Sequence, residues 1–123
     1  MERKFDLDER LIDFAATIID VSEGLPLTIG GNHIAGQLVR SGTAPTLNYG
    51  EAQGAESRRD FIHKIKIGLK ELRETFNCLR IIKKKNWYQK ELLMILIDEN
   101  NRLISIFVKS IETARKNLTQ RRP

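Results

Sequence analysis

Side chains that commonly perform catalysis or bind metals are scarce in this sequence. The only candidates are two histidines and one cysteine, His33, His63 and Cys78, which do not form a close ligand cluster in the sequence. We interpret each histidine as a surface residue and Cys78 as an inert, partly buried thiol on an apolar helical pattern. Motifs for di-iron, phosphate-loop and serine-nucleophile chemistry are missing. The sequence therefore predicts a protein that is not an enzyme and that uses neither a metal nor a cofactor.

Basic side chains are the other candidates, because lysine and arginine bind phosphate groups. Arg59, Lys66 and Arg73 recur every seven residues, which places them on one side of a helix, and Lys70 lies beside them. A solvated helical surface with no ligand is the alternative interpretation. The candidate nucleic-acid-binding residues are Arg58, Arg59, Lys66, Lys70, Arg73, Lys83, Lys84, Lys85, Arg115 and Lys116, and Arg121 and Arg122 extend the basic C-terminus.

Composition limits the class of protein. The chain has 123 residues, of which 41% are hydrophobic and 30% charged, and its net charge is +5. Residues 1–56 carry 4 basic and 9 acidic side chains, whereas residues 57–123 carry 17 basic and 7 acidic ones. A single cysteine fits a reducing compartment, and we find neither an apolar run of membrane-spanning length nor a secretory signal. We expect one soluble, cytoplasmic domain. The uneven charge predicts either a charged face that attracts a polyanion or two faces that attract each other between subunits.

Apolar residues at helical spacing predict four helices. The first runs from about Leu7 to Glu23, with Asp6 as its N-cap. The glycines and proline at 24–31 predict a break in the chain. We expect a second helix to begin near Asn32 and to be kinked or broken at Pro45.

The second half of the chain has the clearer helical pattern. Ser57 is the predicted N-cap of the third helix, which ends by Lys83–Lys85, and Asn86 is expected to start the fourth helix, from about Trp87 to Leu118. Four helices with short connections predict an all-α, antiparallel up-down-up-down four-helix bundle. The bundle is a single domain over residues 1–118, followed by a basic tail at 119–123.

The predicted fourth helix carries more apolar surface than one bundle can cover. Two stripes run along it, and further apolar side chains widen the arc. Because exposed apolar surface of this kind marks an interface between proteins, we expect the chain to be an oligomer. The stripes are Leu92, Leu96, Leu103, Phe107 and Ser110, and Leu93, Ile97, Ile104, Val108 and Ile111.

The stretch from Gln37 to Leu79, QLVRSGTAPTLNYGEAQGAESRRDFIHKIKIGLKELRETFNCL, resembles a known family. It is similar to the bacterial four helix bundle proteins, which include proteins encoded by intervening sequences in 23S ribosomal RNA genes. These are related to the accessory variability determinants of diversity-generating retroelements. The resemblance covers most of the second and third helices, and the helix order fits the whole chain. Which branch of the family the chain follows stays open.

The resemblance implies an antiparallel bundle that assembles as a ring-like homopentamer. It also implies a basic surface that contacts nucleic acid or a reverse-transcriptase partner. Four of the matching polar residues, Arg40, Asn48, Glu51 and Glu56, lie on or beside a helix with mostly small side chains. We expect some of them to form a buried or interfacial network that fixes helix register, with Arg40 pairing a carboxylate. A substrate pocket is the alternative.

Two functions fit these observations. The first is a non-catalytic, oligomeric adaptor that contacts the phosphates of RNA or DNA without reading sequence. The second is a structural or protein-interaction scaffold that oligomerises and recruits a protein such as a reverse transcriptase. The response to salt separates them, because phosphate binding weakens steeply as salt rises.

Overall fold

Helix α1, Leu7–Glu23, forms where the sequence places an apolar residue every three or four positions. Its N-cap is Asp6, whose carboxylate accepts a hydrogen bond from the backbone N–H of Glu9 at 3.1 Å. The structure, a computed structural model, describes residues 6–120. The bounds of α1 and its N-cap are those predicted from the sequence. Residues 1–5 and 121–123, which include Arg121 and Arg122 of the basic tail, lie outside the described residues.

Helix α2, Ile29–Gln53, begins earlier than predicted. Its N-cap is Thr28, whose hydroxyl accepts a hydrogen bond from the Gly31 N–H at 3.0 Å. Glycine at position 31 reflects a close approach rather than a break, because an added Cβ would lie 2.0 Å from the carbonyl oxygen of Pro26. The helix also continues through Pro45, so the possible break there is not present. Pro45 is buried, and the flanking turns are helical on both sides.

Helices α3, Arg58–Lys85, and α4, Lys90–Gln120, are the two longest. The Ser57 hydroxyl caps α3 by accepting a hydrogen bond from the Asp60 N–H at 3.0 Å, as predicted. Asn86 does not start α4. It has φ 56° and ψ 41° and ends α3 in the left-handed conformation, which asparagine tolerates better than most residues. The chain therefore needs a further turn before α4 begins, three residues later than predicted.

The four helices pack in chain order, α1 against α2, α2 against α3 and α3 against α4. This arrangement confirms the all-α, up-down four-helix bundle. Helices α1 and α4, which close the bundle, pack much less closely than the other neighbours. None of the helices within residues 6–120 has an apolar stretch long enough to cross a bilayer.

The core is a column of aliphatic side chains from all four helices with Phe14 and Phe107. A buried polar layer interrupts it, where the Thr75 hydroxyl lies 2.9 Å from that of Ser41 and the Asn100 amide donates to the Leu72 carbonyl at 3.1 Å. All three side chains are completely buried. Buried polar groups of this kind favour one helix register over others, since a shifted register would leave them unpaired.

Candidate nucleic-acid interface

Four basic side chains follow one side of α3. Lys66, Lys70, Arg73 and Arg80 are all exposed and are separated by three, four or seven residues. Lys84 continues the row at the end of the helix. From Lys66 to Lys84 the row is about 27 Å long at the helical rise of 1.5 Å per residue. One side of α3 is therefore basic from Lys66 to Lys84.

Helix α4 lines two grooves against this row. The first, which we call the central groove, has a volume of about 440 Å³. Its basic residues are Lys66, Lys70 and Arg73 from α3 and Arg115 from α4, and Glu112 is its acidic residue. Packing of α4 beside α3 thus brings Arg115 next to cations that are far away in sequence.

The second groove, which we call the turn-end groove, lies at the end of the bundle where the chain turns from α3 into α4. It is larger, at about 910 Å³, and the cations that line it are Arg80, Lys83, Lys84 and Lys90. No carboxylate is among its lining residues within the described chain. Two of these cations, Lys83 and Lys84, are in the predicted set, and the structure places them at one site.

Arg80 and Lys90 are missing from the predicted set. Arg80 extends the seven-residue series of Arg59, Lys66 and Arg73 by one further step, so the spacing could have identified it. Lys90 could not have been identified in this way, because it joins the groove only through the reversal of the chain between α3 and α4.

Four predicted cations stand apart from both grooves. Arg58 is half-buried beside Phe61 at the opposite end of α3. Lys85 lies against the Trp87 ring, with its ammonium 5.8 Å from the ring centroid. Arg59 and Lys116 are exposed but line neither groove. The predicted set is therefore divided in space, with six of its members along the α3–α4 grooves.

Arg40, Asn48, Glu51 and Glu56 do not form one network. Arg40 donates hydrogen bonds to Glu71 at 3.0 Å and to Glu74, and these two join α2 to α3. It also donates to Gln37 of its own helix at 3.1 Å. Its hydrogen bond with Glu71 raises the pKa of the guanidinium. The arginine does pair with carboxylates, but the site is exposed and the carboxylates belong to α3.

The other members of that predicted network have separate surroundings. Glu51 lies 3.6 Å from the Lys64 ammonium, and Glu56 is exposed beyond the end of α2. Asn48 lies at the α2–α3 contact, where its Cβ would be 3.4 Å from a Cβ added at Gly68. Arg40, Asn48 and Glu51 thus make separate contacts between α2 and α3.

The α1–α4 seam carries the exposed apolar surface of α4. Arg10 and Glu99 bridge the seam with two hydrogen bonds of 2.7 and 2.9 Å. The bridge lies beside a groove of about 450 Å³ that includes Leu92 and Ile95, whose exposed fractions are 50% and 67%. The buried face of α4 combines residues of both predicted stripes, whereas Leu92 of the first stripe is exposed. The buried stripe residues are Leu93, Leu96, Leu103, Phe107 and Ile111.

The structure also places the two histidines and the cysteine, the candidates for catalytic or metal chemistry. His33 and His63 are exposed, and Cys78 is buried. Burial raises the pKa of the Cys78 thiol, with a smaller contribution from Glu74 in the same direction. Within residues 6–120, no group of three or more histidine, cysteine, aspartate or glutamate side chains is placed to hold a metal ion.

Comparison with known proteins places this bundle in a family. Residues 3–109 match the family model described as 23S rRNA-intervening sequence protein. A solved structure of a protein with unknown function, from the S23 ribosomal protein family of Bacteroides thetaiotaomicron, is similar with a TM-score of 0.80 and 26% sequence identity. The match covers 86% of this chain and 98% of that one. A search of curated proteins finds no match. Because the family model spans most of the bundle, the chain belongs to the 23S rRNA-intervening sequence protein family.

Proposed function

We propose that the protein is a non-catalytic, oligomeric adaptor that binds RNA or DNA through phosphate contacts. The observation that supports this is the continuous basic side of α3, from Lys66 to Lys84, with Arg115 and Lys90 added from α4. Only one carboxylate, Glu112, is among the lining residues that the structure describes for the two grooves. A row of cations with so little opposing charge attracts a polyanion.

The chemistry of this row favours phosphate over base-edge recognition. Lysine and arginine side chains on an open helical surface can approach the backbone of a nucleic acid from many positions along it. We expect such binding to tolerate changes of sequence and to weaken steeply with salt, because bound cations release counterions from the nucleic acid.

Oligomerisation is the second part of the proposal. Leu92, Met94 and Ile95 on α4 are each at least half exposed in the single chain. A partner subunit that covered them would remove apolar surface from water. The number five is an expectation that rests on the family resemblance. Any closed ring would repeat the basic row once per subunit and so increase avidity for an extended polyanion.

A charge reversal on the central groove tests nucleic-acid binding. The variant carries Lys66→Glu, Lys70→Glu and Arg73→Glu together. A matched control carries Lys64→Glu, Arg102→Glu and Lys109→Glu, which change the net charge equally at positions outside the two grooves and outside the candidate set. We expect the first variant to lose retention of labelled RNA and DNA and the control to keep it, with both variants folded by circular dichroism. Equal retention by the two variants would contradict the proposal.

A protein-interaction scaffold is the second candidate, and the exposed apolar side chains of α4 favour it. In that case the chain oligomerises and recruits a protein partner such as a reverse transcriptase, and the basic side serves solubility or partner choice. Apolar contacts would persist or strengthen as salt rises, whereas phosphate contacts would be lost. Protein assembly that persists at high salt, without salt-sensitive retention of nucleic acid, would favour the scaffold.

A further inference from the structure

We propose that the turn-end groove binds an unpaired nucleotide, with its base in the groove and its phosphates on the surrounding lysines. This inference rests on the proposed nucleic-acid binding and narrows it to single-stranded or looped segments. The central groove, by contrast, supplies phosphate contacts alone. The two grooves would therefore contact different parts of one strand, the turn-end groove a base and its phosphates and the central groove phosphates only.

The size and charge of the turn-end groove support this assignment. Its volume of about 910 Å³ is about twice that of the central groove, at 440 Å³. It lies within the range of pockets that take small molecules. Lys83, Lys84 and Lys90 surround it and are all exposed, so they can reach phosphates on either side of an inserted base.

A stacking surface is already present in the groove. The Arg80 guanidinium lies over the Phe76 ring, with its carbon 5.4 Å from the ring centroid. Its Nη1 also donates a hydrogen bond to the Asn77 Oδ1 at 3.3 Å. Two contacts hold the guanidinium on the ring while the residue as a whole stays exposed. Planar guanidinium and aromatic groups are the surfaces on which proteins stack unpaired bases.

The remaining lining side chains suit the edges and faces of a base. Asn77, Asn86 and Asn101 place three carboxamides around the groove, and each can both donate and accept hydrogen bonds. Ile81 and Ile97 supply apolar contact, and Ile81 is 44% exposed in the single chain. A duplex would present its bases inside the stack and leave these groups unused, which is why we infer a preference for unpaired strands.

The test compares two strands that differ only in their bases. Fluorescence anisotropy measures binding of the full chain to a short labelled oligodeoxyadenylate and to an abasic strand of equal length and charge. We expect the base-containing strand to bind about tenfold more tightly, as one stacked base contributes. Equal affinities would overturn this inference and leave the proposed function intact. Binding of neither strand, nor of duplex or RNA, would overturn both.

Two conservative variants locate the effect. Arg80→Lys keeps the charge but lacks the planar group, so it should reduce the preference for bases to less than about twofold while abasic binding is unchanged. Arg102→Lys, at an exposed position outside both grooves, is the matched control and should keep the full preference. A preference that survives Arg80→Lys would show that the base is bound elsewhere, against this proposal. Both residues are exposed, so neither change is expected to unfold the bundle.

Discussion

Gly42 of α2 faces Ile18 of α1 so closely that a Cβ at position 42 would lie 2.6 Å from the Ile18 Cγ2. Ile18 is fully buried, and a β-branched side chain in a helix has one strongly preferred rotamer, so it cannot move aside. The two helix backbones are therefore packed at a distance that only glycine allows. Gly68 has the same relation to Phe107, at 2.7 Å from the ring, where α3 meets α4.

We expect Gly42→Ala to destabilise the bundle by about 1–3 kcal/mol, because overpacking exceeds the gain in helix propensity. The measurement is the free energy of unfolding from urea titration. Gly36→Ala is the matched control in the same helix, since a Cβ there would meet nothing within 4 Å. That variant should be more stable than the parent by about 0.5–1 kcal/mol. Equal effects of the two substitutions would contradict the close packing.

The Arg10–Glu99 bridge should contribute more than an ordinary surface ion pair. The bridge is bidentate, and its two side chains are each less than one third exposed. It joins α1 to α4, the pair of neighbouring helices that packs least closely. We expect Glu99→Gln to reduce the free energy of unfolding by about 1 kcal/mol. Asp98→Asn removes the Arg102–Asp98 pair, whose side chains are 66% and 63% exposed, and should cost half as much or less. The reverse order of the two losses would exclude this role for the bridge.

Stability should fall at alkaline pH because two groups are held neutral by burial. Desolvation raises the pKa of Cys78 above the ordinary thiol value of 9.0 and that of Tyr49 above 10.0. A group whose pKa is higher in the folded state stabilises the protein fully below its unfolded pKa. That contribution is lost as the pH rises through the folded value. Melting temperatures measured from neutral to strongly alkaline pH should therefore decline above pH 9.0.

Cys78→Ala identifies the thiol's share of this decline. Between pH 9.0 and 10.0, the melting temperature of the variant should fall less steeply than that of the parent, because the variant has no thiol to ionise. Its stability at neutral pH will also be lower, so the slope is compared and not the absolute melting temperature. Identical slopes for variant and parent would show that the Cys78 thiol does not contribute.

The salt dependence of nucleic-acid binding should report how many phosphates the basic row contacts. We expect the logarithm of the binding constant to fall linearly with the logarithm of the salt concentration. Lys66→Ala should reduce the magnitude of that slope by about 1, as expected for one lost phosphate contact. Arg102→Ala, on the outer side of α4, should leave the slope unchanged. A parent slope near zero would rule out phosphate binding by this surface.

The protein should be an oligomer at micromolar concentration, which multi-angle light scattering would measure directly. Ile95→Glu places a charge in the exposed apolar surface of α4 and should lower the mass. Leu47→Glu is the control on α2, where the native side chain is equally exposed, at 68% against 67%. A monomer mass for the unmodified chain would contradict the oligomer, and dissociation only by Leu47→Glu would place the interface elsewhere.

The helices were readable from the sequence because their signals are local. An apolar residue every three or four positions indicates α1 and α3, and Asp6 and Ser57 are caps whose hydrogen bonds reach only three residues along the chain. The predicted first residues of α2 and α4 were both wrong, for one reason. Gly30–Gly31 and Asn86 serve as breakers or caps according to the backbone around them, and composition does not reveal that backbone.

The sequence by itself determined the four helices, the basic side of α3 and the apolar excess of α4. Each of these depends on residues within a few turns of one another. Only the tertiary structure decided that Arg40 pairs with Glu71 rather than Glu51 or Glu56, and that Lys90 and Arg115 join the α3 cations in two different grooves. Such contacts depend on how one helix is rotated and shifted against another. That relation is set by packing across the whole core, including the glycine contacts at 42 and 68.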